Sequence, residues 1–298
     1  MVKKIILGVS TLSVIVSCSR TTLNDNLVKA NAELYRVEGN FSFVEGPATN
    51  KAGNVFFTDQ PNDKIYVWDW KSNKISLFSD QTGRANGMYF NAKDELLSCS
   101  DNKGEIWKFD SQGQRIQTLV TSFEGKRLNG PNDLWIDASE GIYFTDPLYV
   151  RDYWQNFEQE IASKRLYYRT SGGEILALDE FKQPNGIIGS EKFKKLYVSD
   201  IDSNKTFVYD IIGEGKLSNK KLFCELGSDG MTLDEKGNLY LTGNGVTVFN
   251  PKGEQIMNIP VKEDWTANVT FGGKDRKTLF ITASKSVYTL DMEVSGAD

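Results

Sequence analysis

No histidine occurs anywhere in this chain of 298 residues. That absence removes the imidazole general base, the Ser-His-Asp triad and histidine-bound zinc or iron, so carboxylates, amides, Lys, Tyr and bound ions must carry any chemistry. Cysteine is nearly as scarce: Cys18, Cys99 and Cys224 are the only three, with no CxxC spacing, and a thiolate zinc site is unsupported. Cys99 and Cys224 lie in the apolar settings Leu96-Leu97-Ser98-Cys99 and Leu222-Phe223-Cys224, and read as core residues rather than a bridge. No apolar run is long enough to span a bilayer, and helical periodicity is nowhere sustained. Positive charge is not in excess. The net charge of -5 argues against a nucleic-acid partner and mildly favours a cation.

Lys3 and Lys4, an apolar run from Ile5 to Val16 and then Ser17-Cys18 have the form of an export signal. Loss of Lys3 and Lys4 with that leader takes the net charge from -5 to -7. Ile15-Val16-Ser17-Cys18 resembles the bacterial lipobox, whose Cys is diacylated and becomes the first mature residue. Residues 1–17 are therefore expected to be a lipoprotein signal peptide and 18–31 a flexible tether. The expected location is the bacterial cell envelope, periplasmic side or cell surface, with Cys18 as the only attachment to membrane. An ordinary cleaved signal is the alternative. Residues 32–292 read as one domain with 293–298 as a C-terminal tail, and the protein as a monomer.

The domain is built on a repeat. Glu45-Gly46-Pro47, Asn86-Gly87-Met88, Asn132-Asp133-Leu134, Asn185-Gly186-Ile187, Asp229-Gly230-Met231 and Asn268-Val269-Thr270 each set an oxygen-bearing side chain at the opening of a strand. Their starts differ by 41, 46, 53, 44 and 39 residues, the period of a four-stranded propeller blade. Between them come β-branched and aromatic runs such as Val55-Phe56-Phe57-Thr58-Asp59, Ile142-Tyr143-Phe144-Thr145-Asp146 and Leu196-Tyr197-Val198-Ser199-Asp200. The fold class is thus an all-β, six-bladed β-propeller with four-stranded blades. Too little chain follows Ser286-Val287-Tyr288-Thr289-Leu290 for an outer strand, so Ala32-Glu33-Leu34-Tyr35-Arg36-Val37 is expected to close the last blade.

In a propeller the inner strands all start at one end of the channel, which brings these six side chains together. Glu45, Asn185 and Asp229 supply the carboxylate and amide oxygens that calcium takes. Taken singly, each is an ordinary turn former. The loop from Pro147 to Lys164, with Tyr149, Arg151, Tyr153, Trp154 and Phe157, is a candidate lid or substrate wall at the same mouth.

These segments resemble a known family. Glu45-Gly46-Pro47, Arg127-Leu128-Asn129-Gly130-Pro131-Asn132-Asp133-Leu134, Tyr143-Phe144-Thr145-Asp146-Pro147, Pro184-Asn185-Gly186, Asp229-Gly230-Met231 and Phe271-Gly272-Gly273-Lys274-Asp275 look like the senescence-marker-protein (regucalcin)/gluconolactonase family. The resemblance spans about residues 40 to 290. It implies one divalent ion in the channel, calcium first, with zinc, magnesium or manganese as alternatives, and hydrolysis of a sugar-derived lactone. By the same resemblance Glu45, Asn185, Asp229 and Asn132 would bind the metal, and Asp229 would be the general base. Asp133, and less strongly Asp146, are candidates for proton transfer, while Asn132, Asn86 and Arg127 are candidate substrate contacts. One position departs from the pattern: animal regucalcin-type members carry an Arg where this chain has Gly130. Lactone hydrolysis in general is therefore implied more firmly than action on gluconolactone. A non-catalytic envelope propeller that binds calcium or a sugar is the alternative.

Overall fold

Runs rich in β-branched and aromatic residues, cut by Gly, Asn and Asp turns, form six four-stranded antiparallel sheets. The computed structural model describes residues 27–155 and 157–297. The expected signal peptide, the Cys18 anchor and the first part of the tether lie outside the described residues. From blade one to blade six the inner strands are Val44–Thr49, Ala85–Phe90, Leu134–Ile136, Pro184–Ser190, Met231–Leu233 and Thr266–Gly272. The first five sheets then run outward in chain order. The only helix among the described residues is the 3-10 turn Gln60–Asn62, so the segment from Pro147 to the strand Lys164–Arg169 crosses the mouth without regular structure.

The last blade is completed from the other end of the chain. Tyr35, Arg36 and Val37 pair with Thr289, Tyr288 and Val287 on the strand Ser286–Asp291. The expected tether ends earlier than residue 31: Leu27 is 1% exposed, and Val28 bridges Met292. The C-terminal segment is docked as well, with Val294 buried and the Ala297 amide donating to the Leu233 carbonyl. Leu27, Val28, Val294 and Ala297 therefore belong to the folded domain.

Large aromatic side chains fill the spaces between blades, among them Trp135, Tyr143, Tyr167, Tyr168, Phe57 and Phe280. Cys99 and Cys224 are buried and unpaired.

Three second strands end in an Asp that ties down the loop entering the same blade. Asp59 accepts from the amides of Ser42 and Phe43, Asp146 from Asn129 and Gly130, and Asp200 from Lys182 and Gln183. This repeated latch gives Asp146 a structural task. Burial pushes its carboxyl up to about 7 against the opposing pull of the two amides. Asp146→Ala is expected to destabilise the fold by about 2–4 kcal/mol, since two buried N–H groups lose their acceptor. A thermal melt should show a midpoint lower by roughly 5–10 °C. An unchanged midpoint with lost turnover would point to the chemical role instead.

Candidate functional site

Four inner strands start with a β-bulge, lying between Glu45 and Ala48, Ala85 and Met88, Pro184 and Ile187, and Thr266 and Asn268. A bulge bends the strand and re-aims the side chain beside it. The recurring polar-Gly pair is part of this device and not a connecting turn. A Cβ on Gly46 would lie 2.0 Å from the Asn86 carbonyl oxygen, and one on Gly230 would lie 1.9 Å from Cγ of Asn268. Each of these glycines lets the next blade's polar residue come close to the axis.

The ring that results is mostly buried. Glu45, Asn86, Asn132, Asp133, Asn185 and Asn268 are all buried, while Asp229 keeps a face open to solvent. Glu45 Oε2 accepts from the Gly46 amide at 2.7 Å and from Asn268 Nδ2 at 3.1 Å. Asp229 Oδ2 accepts from the indole Nε1 of Trp265 at 2.6 Å. Asn185 Nδ2 donates to the Tyr149 hydroxyl at 2.8 Å, and its Oδ1 is buried with no hydrogen-bond partner. The carboxyls of Glu45 and Asp229 lie within hydrogen-bonding reach of one another, and Asn185 reaches Asp229 as well.

In this buried site the charge of Asp229 opposes the ionisation of Glu45, while a hydrogen bond from Glu45 favours the ionised Asp229. Burial, then the charge of Asp229, holds the Glu45 carboxyl well above the usual carboxylate range. Burial also raises Asp229, against the pull of the Trp265 donor. Asp133, pushed up to about 7 by burial, is braced by the amides of Leu134 and Ile187 and by Asn268. The Asp133 side chain borders a cavity of about 200 Å³ that continues down the channel past Leu134, Ile188 and Leu233.

The structure thus brings Glu45, Asn185 and Asp229 together, with Asp133 in the same ring. Asn86 and Asn132 stand at the inner-strand starts as expected, and both are buried. Arg127 is elsewhere. Its guanidinium stacks on Trp154 and Phe157, at 4.9 and 4.8 Å from the ring centroids, on the wall formed by the long loop. Sequence reasoning passed over Trp265, and treated Asn268 as no more than a turn residue. Asn268 braces Glu45 and Asp133, a role its repeat position signals even though Val269 replaces the usual Gly.

Among the described residues no three Asp, Glu, Cys or His side chains form a metal cage. The donor set still suits a hard cation, which accepts amide oxygens as readily as carboxylates. Glu45 and Asp229 would hold such an ion with the orphaned Oδ1 of Asn185, and Asn132 stands ready as a further oxygen. A positive charge there would relieve the repulsion of the two acids and satisfy the buried carbonyl.

Residues 43–285 match the SMP-30/Gluconolactonase/LRE-like region. The chain belongs to this family. Within it, a gluconolactonase of Zymomonas mobilis is 28% identical, covering 91% of this chain and 85% of the relative. The diisopropyl-fluorophosphatase of Loligo vulgaris is 30% identical, covering 80% of this chain and 85% of the relative. The solved structure of a gluconolactonase from Xanthomonas campestris superposes with a TM-score of 0.83 at 26% identity, covering 90% of this chain and 91% of that one. The axial ring and the first five blades lie within the matched span, whereas the closing strand Tyr35–Val37 precedes it and the strand Ser286–Asp291 of blade six follows it.

Proposed function

We propose that the protein hydrolyses a lactone at the axial ring and depends on one divalent cation, calcium first. The observation that carries this reading is the pair of opposed acids, Glu45 and Asp229, beside the unpartnered Asn185 oxygen. Membership of a family that contains gluconolactonases supports the reaction class. When bound, the cation would polarise the ester carbonyl and offset the charge developing on its oxygen.

The chain's own residues supply the rest. Trp265 fixes Oδ2 of Asp229, which orients the carboxylate toward the mouth. Asp229 accepts the proton of the attacking water and returns it to the ring oxygen as the C–O bond breaks, giving the open hydroxy acid. The side-chain amides of Asn86 and Asn132 offer donors to the substrate's hydroxyls. Tyr149 holds Asn185 in register and roofs the ring. We place the protein in the bacterial envelope, tethered through Cys18.

Protein purified without chelator should release acid from members of a lactone panel. Treatment with EDTA should reduce the rate at least about 100-fold, a loss of about 3 kcal/mol in transition-state stabilisation, and calcium should restore it. Full activity in EDTA would overturn the cation dependence. Cation uptake without turnover of any lactone would instead leave a binding protein.

A further inference from the structure

The long loop at the mouth carries the guanidinium of Arg151, whose charge acts on Asp101 and Asp229 and whose Nε has no hydrogen-bond partner among the described residues. Arg151 stacks on Tyr149 at 5.4 Å, and the hydroxyl of Tyr149 accepts from Asn185, so Arg151 stands one side chain away from the axial ring. Its Nε is buried and lacks a hydrogen-bond partner. The nearest carboxylate, Oδ2 of Asp101, is 3.6 Å away, beyond hydrogen-bonding distance, and already engages the Tyr153 hydroxyl. The indole Nε1 of Trp154 is buried without a partner as well.

These groups gather around Asp101 and Gly130. A Cβ on Gly130 would lie 3.1 Å from Oδ1 of Asp101 and 3.2 Å from the Trp154 ring. Arg84, stacked on Tyr153 at 4.7 Å, adds a second guanidinium beside the single Asp101 carboxylate. Arg127 also faces Asp101, but it shares the fields of Asp146, Glu160 and Glu105 and stacks on Trp154 and Phe157. A buried donor left without an acceptor is costly unless a ligand supplies one. The planar fork of a guanidinium fits an oxyanion in two-point contact.

We propose that Arg151, with the Trp154 indole N–H, forms an anion subsite, and that the substrate is a lactone bearing a carboxylate, phosphate or sulfonate remote from its ester carbonyl. This rests on the lactonase reading for the reaction, though not for the anion. Tyr149 links the two halves of the site: the ring takes the ester, and the lid takes the charged end. Gly130 leaves room for this arrangement, because a longer side chain there would collide with Asp101 and Trp154.

The test compares wild type, Arg151→Gln and Trp154→Phe on glucono-δ-lactone, a lactone of glucaric acid and 6-phosphogluconolactone. Wild type should favour the anionic members at least tenfold in kcat/KM. Arg151→Gln should lose about 10- to 100-fold on them, mainly through KM, and a smaller factor on the neutral lactone. Trp154→Phe should fall between. Preference of the wild type for the neutral lactone, or equal losses on all three substrates in Arg151→Gln, would overturn the subsite. Calorimetry with inorganic sulfate separates this from failure of the lactonase reading. Sulfate bound by wild type and not by Arg151→Gln supports the anion subsite even if no lactone is turned over. Neutral-lactone turnover without sulfate binding refutes the subsite alone.

Discussion

Asp229→Asn is expected to lower kcat on lactones by about 100- to 10,000-fold, the usual contribution of a positioned general base. The substitution keeps an oxygen for the Trp265 indole and nearly the same shape, so the ring should remain assembled. Stability should move the other way when the cation is stripped. Glu45 and Asp229 both have carboxyls raised above their ordinary values of 4.5 and 3.8, so the folded protein holds protons that the unfolded chain has released. By linkage, the contribution of this pair to stability in EDTA is full below their ordinary values of 3.8 and 4.5 and is lost as the pH rises above them. Asn in place of Asp229 removes one of the two acids and should flatten that decline. Calcium should flatten it in the wild type too, by compensating both charges. Thermal melts at several pH values, with calcium and with EDTA, measure the slope, and rates on one lactone measure the chemistry. A variant that retains most of its turnover would remove Asp229 from the base role, whatever the melts show.

Deleting the residues before Glu38 is expected to bring the largest loss of stability. It strips the outer strand from blade six and removes Leu27 and Val37 from the core, at 1% and 3% exposure. Two buried aliphatic side chains contribute roughly 3–6 kcal/mol, and the lost backbone bonds, including Lys29 to Asp291 and Glu293 to Leu27, add about 1 kcal/mol each. The sum is comparable with the whole stability of a typical domain, about 5–15 kcal/mol. The freed edge of Ser286–Asp291 would also offer itself to another chain. Scanning calorimetry should show a midpoint lower by at least about 15 °C, and size-exclusion chromatography should show higher oligomers. A truncated monomer melting within a few degrees of the full chain would mean that the ring closes without its N-terminal strand.

The repeat was legible in the sequence because propeller blades reuse one local grammar. An oxygen-bearing residue, a glycine and an apolar strand recur at a spacing that the structure realises as six inner strands. The meaning of the glycines was not legible. Asp-Gly and Asn-Gly look the same whether they turn a chain or make room for a neighbour, and only the approach of Asn268 to Gly230 tells the two apart. Trp265 carried no signal, since it reaches Asp229 from a loop outside the repeated segments. The inner end of the tether was misplaced for a related reason. Leu27 and Val28 are a brief apolar pair among polar residues, and their burial depends on Met292 and Asp291 at the far end of the chain. Asp146 sat in a family-like segment beside the mouth, but the same bonding at Asp59 and Asp200 marks it as part of the scaffold.

The crowding of glycine against donor makes the inner aperture behave like a course of keystones. Enlarging the stone at blade five shifts Asn268 and with it the support of Glu45 on blade one. A change at one position is therefore felt around the circumference, and the donors must vary together or stay fixed. The loop that carries Arg151 has no ladder bonds of this kind, so a lineage could exchange one substrate for another by rewriting the awning while the masonry beneath is left alone.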